Sequence, residues 1–187
     1  MTTRFIQSTV TLVGFAMLLG CGCASIADPQ ANAVFREALG HTTITIFPTY
    51  VRDEEPYYHA ESAQAIGDFF VEQNVADVTL SHAEVPITSE WGMNQAKMLK
   101  DSAADFTRHL QGNPIETEYG LLAEYLIGGR GVPVGVHAYI MTAAGTCADV
   151  ALLNSHWEAF TAVDPQTVDD CTTVLLNALR EELAPTE

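Results

Sequence analysis

Residues 43–48 read Thr43-Ile-Thr-Ile-Phe47-Pro48. β-Branched residues alternate along the first five, the pattern of a strand with one face in a core. Pro48 has no N–H for a ladder and ends it. The elements on the carboxyl side of this strand decide the fold. Tyr50 to Tyr58 carries Arg52-Asp-Glu-Glu55 and Pro56, and reads as a loop. Ala63, Ile66, Phe69 and Phe70 then fall on one face of a helix over about residues 59–73. Asp77-Val-Thr-Leu-Ser81 reads as a second strand, broken by Pro86 and the polar run to Glu90. A strand, a helix and a strand in that order predict a sheet with helices packed on it.

The strongest helical signal comes next. Ala96, Leu99, Ala103, Phe106 and Leu110 step by three and four, and Gly112, Asn113 and Pro114 close the run. Glu118 to Ile127 and Val132 to Met141 read as strands joined by a turn at Gly128-Gly-Arg-Gly131. Asp149 to Ser155 makes a fifth strand after a turn at Ala144-Gly145. Asp164-Pro165 reads as a helix start, with Asp as cap and Pro in the first helical position. Val168, Cys171, Leu175 and Leu179 supply that helix with an apolar face. The expected fold is α/β: one domain, a five-stranded mixed sheet with helices packed on it, in the order β-α-β-α-β-β-β-α.

With 187 residues, 48% of them hydrophobic, the chain can bury a core. Its 8 Lys and Arg stand against 24 Asp and Glu. That field repels phosphate backbones, and no basic stripe offsets it, so nucleic acid is excluded as a partner.

The amino terminus carries one positive charge, Arg4, ahead of an apolar run from about Val10 to Gly20. This is the layout of an export signal. A bilayer span needs about 20 apolar residues, more than the run supplies. It ends on Leu18-Leu19-Gly20-Cys21, which resembles the lipobox of bacterial lipoproteins. The resemblance implies that residues 1–20 are a signal peptide and that Cys21 is both the lipid attachment site and the first mature residue. The mature chain then carries 7 basic residues against 24 acidic ones, a net −17. Residues 21–40 come next as a tether, with a helical piece near Ala31 to Leu39 and Gly40 as its stop. Residues 41–187 form the globular domain. The implied address is the cell membrane or outer membrane, anchored by lipid on the extracytoplasmic side, in the periplasm if there are two membranes. Gly22 stands where the family's inner-membrane retention signal has Asp, which favours the outer one.

Over about residues 41–183 the element order, the opening stretch 43–48 and the anchor resemble a second group. It comprises the TolB amino-terminal domain, the curli-secretion lipoprotein and the lipoprotein activators of penicillin-binding proteins. That resemblance implies work in the envelope through protein contacts, and no site residue is carried over from it. Export also bears on the remaining cysteines, because thiols outside the cytosol tend to pair. A Cys147–Cys171 disulfide is expected, the alternative being two buried free thiols.

The polar constellations are weaker. Gly128-Gly-Arg-Gly131 lacks the Gly-Lys-Ser/Thr ending of a phosphate loop and precedes a strand, so a hairpin turn is its reading. His41, His59, His82, His109, His137 and His156 include no closely spaced pair, and no metal site is expected. Cys171 with His156 and Asp169 or Asp170 has the types for a thiol nucleophile, but it sits on an apolar helix face. Asn154-Ser-His-Trp-Glu158 concentrates polar and aromatic groups. His156 and Trp157 form a candidate interaction patch there, although Trp157 and Phe160 can equally close the core. The reading is a lipid-anchored, non-enzymatic envelope protein that contacts the membrane through its lipid and another envelope protein through its domain. No catalytic residue and no cofactor are assigned. The alternative is an envelope enzyme or small-ligand binder that gathers His137, His156, Asp53 and Glu118 in a pocket.

Overall fold

In the computed structural model, which describes residues 26–182 except Trp91 and Met93, the opening strand forms, and a second strand follows it past Pro48, in residues expected as loop. β1 (Thr42–Ile46) and β2 (Thr49–Arg52) run in line, both parallel to β5 (Tyr119–Gly128). The Phe47 N–H donates to the Leu121 carbonyl at 2.9 Å, and Pro48 then interrupts the ladder. Outside this pair lie two more short strands. β4 (Ala76–Leu80) is parallel to β1, and β3 (Tyr57–His59) is antiparallel to β2. On its other edge β5 pairs with β6 (Val132–Thr142), and β6 pairs with β7 (Cys147–Asn154), both antiparallel. The sheet therefore has seven strands, not five. The extra two are β2 and β3, which lie almost wholly in the stretch Tyr50 to Tyr58 expected as a loop: β2 finds an edge on β5, and β3 finds one on β2.

Among the described residues there are five helices: α1 (Pro29–Ala38), α2 (Ala60–Glu72), α3 (Gln95–Gly112), α4 (Glu158–Val163) and α5 (Val168–Glu182). The order runs α-β-β-β-α-β-α-β-β-β-α-α, which corrects the expected sequence of elements. Alternation along β5 sorts the core into two layers. Leu121, Ala123 and Tyr125 point to one side and pack with α1, α2, α4 and α5. Leu122 points to the other and packs with Phe47, Tyr139, Met141 and α3. The residues spaced for helix faces, Ile66 and Phe70 in α2 and Phe106 and Leu110 in α3, are buried as their spacing predicts.

Two boundaries move. α1 belongs to the domain, so the body begins by residue 26 rather than at His41. Phe35 is fully buried against Tyr119, the Asp28 N–H donates to the Cys147 carbonyl at 2.8 Å, and Arg36 bridges Asp149 and Glu182. The Asp-Pro cap is found here, at Asp28-Pro29, with Asp28 accepting the Ala31 N–H at 2.8 Å. Asp164-Pro165 does not start a helix. Asp164 ends α4 in the left-handed region with φ 50°, and α5 starts four residues later, at Val168. There Thr167 and Asp170 cap each other, Asp170 accepting the Thr167 N–H at 2.9 Å and Thr167 Oγ1 accepting the Asp170 N–H at 3.2 Å.

The expected Cys147–Cys171 disulfide is not formed in this structure. Cys147 and Cys171 are free thiols. Cys171 lies in the core under α5 and Cys147 packs on the α3 side, so the sheet separates them. Cys21 and the expected signal peptide, residues 1–20, lie outside the described residues. Among the described residues no helix is long and apolar enough to cross a membrane.

Candidate functional site

β5 reads Gly120-Leu-Leu-Ala-Glu124-Tyr-Leu-Ile127, one acid in an apolar run. The same alternation that aims Leu122 at α3 aims Glu124 there, and the register sets His137 of β6 directly opposite. Tyr139 lies two residues along β6 on the same face. Arg52, at the end of β2, reaches in from the neighbouring column. Glu124 and His137 are fully buried and Arg52 is 4% exposed.

These groups close on one another. Arg52 donates to Glu124 Oε1 through Nε at 2.8 Å and Nη2 at 2.6 Å. The Tyr139 hydroxyl donates to Oε2 at 2.8 Å, and His137 Nδ1 lies 3.3 Å from the same oxygen. Arg52 turns its remaining donors outward, Nη1 to the Ser89 carbonyl and Nη2 to Ser89 Oγ at 2.7 Å. Ser102 of α3 stands 3.1 Å from that hydroxyl. Burial alone would push the Glu124 carboxyl up. The His137 hydrogen bond and charge, then the Arg52 charge and hydrogen bonds, outweigh it and hold the group below the usual glutamate value. Burial first, then the Glu124 charge and hydrogen bond, push the Tyr139 hydroxyl well up, which keeps it a donor. His137 Nε2 is buried with no partner.

Beside this hub a polar cleft of about 490 Å³ opens between α3 and the chain before it. Thr88, Ser89, Lys97, Asp105 and Arg108 line it. Asp105, 4% exposed, accepts the Thr88 N–H at 2.6 Å and pairs with Arg108 at 2.9 Å. Apart from His137 Nε2, the polar groups of the hub are thus engaged with each other and with Ser89, while Asp105 holds Thr88.

The residues singled out from sequence are scattered. His137 is in the hub, but His156 is exposed in the turn after β7, Asp53 is in the β2–β3 turn, and Glu118 is exposed and accepts from Thr42 Oγ1 at 2.7 Å. Trp157 is 39% exposed beside His156, whereas Phe160 enters the core. Cys171 is buried and away from the exposed His156 turn, and burial, then the Asp170 charge, push its thiol up to about 12. Among the described residues no group of three His, Cys, Asp or Glu side chains could hold a metal ion. Glu61, His59 and Ser62 do stand in acid–imidazole–hydroxyl order, with His59 Nδ1 2.8 Å from Ser62 Oγ. Yet Ser62 is 2% exposed and its hydroxyl also meets Thr172 at 2.8 Å, while His59 caps α2 by accepting the Ser62 N–H. That is a helix start, not a nucleophile. The Arg52–Glu124–Tyr139 part of the hub escapes a reading of the sequence. Its one signal there is an acid at the centre of an apolar strand.

No family model matches the sequence, and no curated protein matches it. Among solved structures, the PelC dodecamer from Paraburkholderia phytofirmans is 14% identical, with 80% of this chain and 91% of that chain covered and a TM-score of 0.39. A methionine variant of the same dodecamer is 15% identical, with 74% and 85% covered and a TM-score of 0.36. Superpositions this loose carry no argument about the fold or the work of this chain.

Proposed function

We propose that this chain is an exported lipoprotein, moored by Cys21 on the extracytoplasmic side of an envelope membrane, whose α/β domain acts by contact with another envelope protein. The observation that carries this reading is Leu18-Leu19-Gly20-Cys21 at the end of the short apolar run, five residues ahead of Ile26, which packs on the α3 side of the sheet. Five residues span at most about 18 Å. A lipid on Cys21 would therefore keep the domain close to the membrane face. Two or more acyl chains hold such an anchor stably, where one gives only marginal binding. The exposed His156 and Trp157 remain candidates for the contact surface. The alternative, a small-ligand binder or enzyme, draws on the His137–Glu124 pair and the cleft beside it. Both side chains are fully buried and bonded within the hub, which weighs against it.

The test is metabolic labelling with radioactive palmitate. The wild-type chain should take up label and partition with membranes, and Cys21→Ser should do neither. Label that persists in Cys21→Ser would remove the anchor from this reading.

A further inference from the structure

α3 holds both lysines of the chain, Lys97 and Lys100, and Arg108 besides. All three are exposed, as are Ala104 and Gln111. Residues 97, 100, 104, 108 and 111 step by three and four, so the cations form one row along the outer face of the helix. Lys97 pairs with Asp101 and Arg108 with the buried Asp105, while Lys100 is in no ion pair among the described residues. α3 thus carries three cations against two acids. The four helices on the other side of the sheet carry two cations, Arg36 and Arg180, against nine acids. Glu84 and Glu90, exposed on the chain before α3, leave the α3 side close to neutral. The fold has sorted the charge, and most of the acid excess faces away from α3.

The chain enters the body next to this row. Ile26 packs on the α3 side, and the Asp28 N–H donates to the Cys147 carbonyl at the start of β7. The turn that leads into β7 is tied to the second half of α3, where Thr107 Oγ1 donates to the Gly145 carbonyl at 2.9 Å. Arg108 follows directly. β7 pairs only with β6 and is an edge strand. A short tether therefore sets which edge of the sheet meets the membrane, but not which side rolls onto it. Charge makes that choice. An anionic leaflet repels the acidic side, and it favours each Lys or Arg near its surface about fivefold. The field reaches only about 10 Å, the distance over which the anchor holds the domain. A free domain with the whole acid excess has no affinity for such a surface, so the row orients what lipid already holds.

We propose that the outer face of α3, with Lys97, Lys100 and Arg108, is a membrane-facing surface that meets anionic phospholipid headgroups and turns the acidic helices away from the bilayer. The inference rests on the lipid-anchor reading and adds the orientation of the domain and the lipid chemistry that sets it. It leaves α2 and α5 open to another envelope protein.

The experiment reads the chain's own side chains. The lipidated protein is placed in vesicles of phosphatidylcholine alone, or of phosphatidylcholine with one third phosphatidylglycerol. An amine acetylating reagent reports on Lys97 and Lys100, and phenylglyoxal on Arg108 and, from the opposite side, Arg180. Mass spectrometry gives the rate at each residue. Phosphatidylglycerol should slow Lys97, Lys100 and Arg108 about fivefold and leave Arg180 unchanged. About 0.5 M salt should abolish the difference. Lys100→Gln with Arg108→Gln changes only exposed residues, and in that variant the slowing at Lys97 should fall below about twofold. Equal lysine rates in the two vesicles, or a matching loss of rate at Arg180, would overturn the proposal. Slowing in phosphatidylcholine alone that grows with protein per vesicle would assign the row to a second copy of the chain and overturn it too. Palmitate labelling is read separately. A chain that takes up label yet keeps both lysines reactive retains the anchor and loses this surface.

Discussion

Glu124 shows how much can hang on one side chain. It is fully buried and accepts from Arg52, Tyr139 and His137. Replacing it with Leu leaves a guanidinium buried without its acid, which costs about 3–5 kcal/mol. Tyr139→Phe removes one donor and leaves the ion pair intact, so its loss should be smaller, about 1–3 kcal/mol. Urea denaturation of the two variants checks the ranking. Equal losses would show that the carboxylate draws no support from Arg52 beyond that of a neutral hydrogen bond. His137, fully buried, engages the hub through one ring nitrogen only, its Nε2 having no partner. Its Nδ1 faces Glu124 and Tyr139, both within 3.3 Å.

At the scale of elements the sheet acts as a partition. Side chains of β5, β6 and β7 go alternately to the α3 side and to the side of the other four helices, and each cysteine goes with its own element. Burial, then the Asp149 charge, push the Cys147 thiol up to about 12, as burial and Asp170 do for Cys171. A thiol held that high has almost no thiolate at neutral pH. Iodoacetamide should therefore leave Cys147 and Cys171 unmodified in the folded protein and label both in urea without prior reduction. A Cys147–Cys171 bridge in the mass spectrum would contradict the placement of α5 and β7 on the sheet. Close packing between elements shows at Gly120, where an added Cβ would come within 3.2 Å of Phe106 and 3.3 Å of Phe47. A side chain there would need the rings of Phe106 and Phe47 to give way slightly.

For the whole molecule the charge balance sets how stability changes with pH. The chain carries a formal −16, and lowering the pH relieves that repulsion. Glu124 works the other way. Its folded value lies below the ordinary 4.5, so the unfolded chain takes up the proton first. The stability it contributes is complete above about pH 4.5 and is lost as pH falls through the folded value. Burial pushes Asp149 and Glu182 up, against the pull of Arg36. Those two acids therefore favour the folded state as pH falls, opposite in sign to Glu124. The clean measurement is a difference. The gap in melting temperature between wild type and Glu124→Gln should be constant above about pH 5 and should narrow below about 4.5. A gap that does not change down to about pH 3 would mean that Glu124 is not ionised in the fold.

The sequence by itself determined the elements whose signal is periodic and local. The faces of α2 and α3, the β5–β6 hairpin with its turn at residues 128–131, and the α/β class all come from spacing, because apolar residues at fixed intervals have only one way to share a core. Tertiary structure alone decided the rest. β3 is three residues long and exists because β2 offers it an edge. α1 is weakly apolar and folds onto the body because Phe35 finds a pocket and Arg36 finds two acids. The hub unites residues 52, 89, 102, 124, 137 and 139, which no local pattern connects. Register and strand order bring them together, and a chain read one residue at a time contains neither.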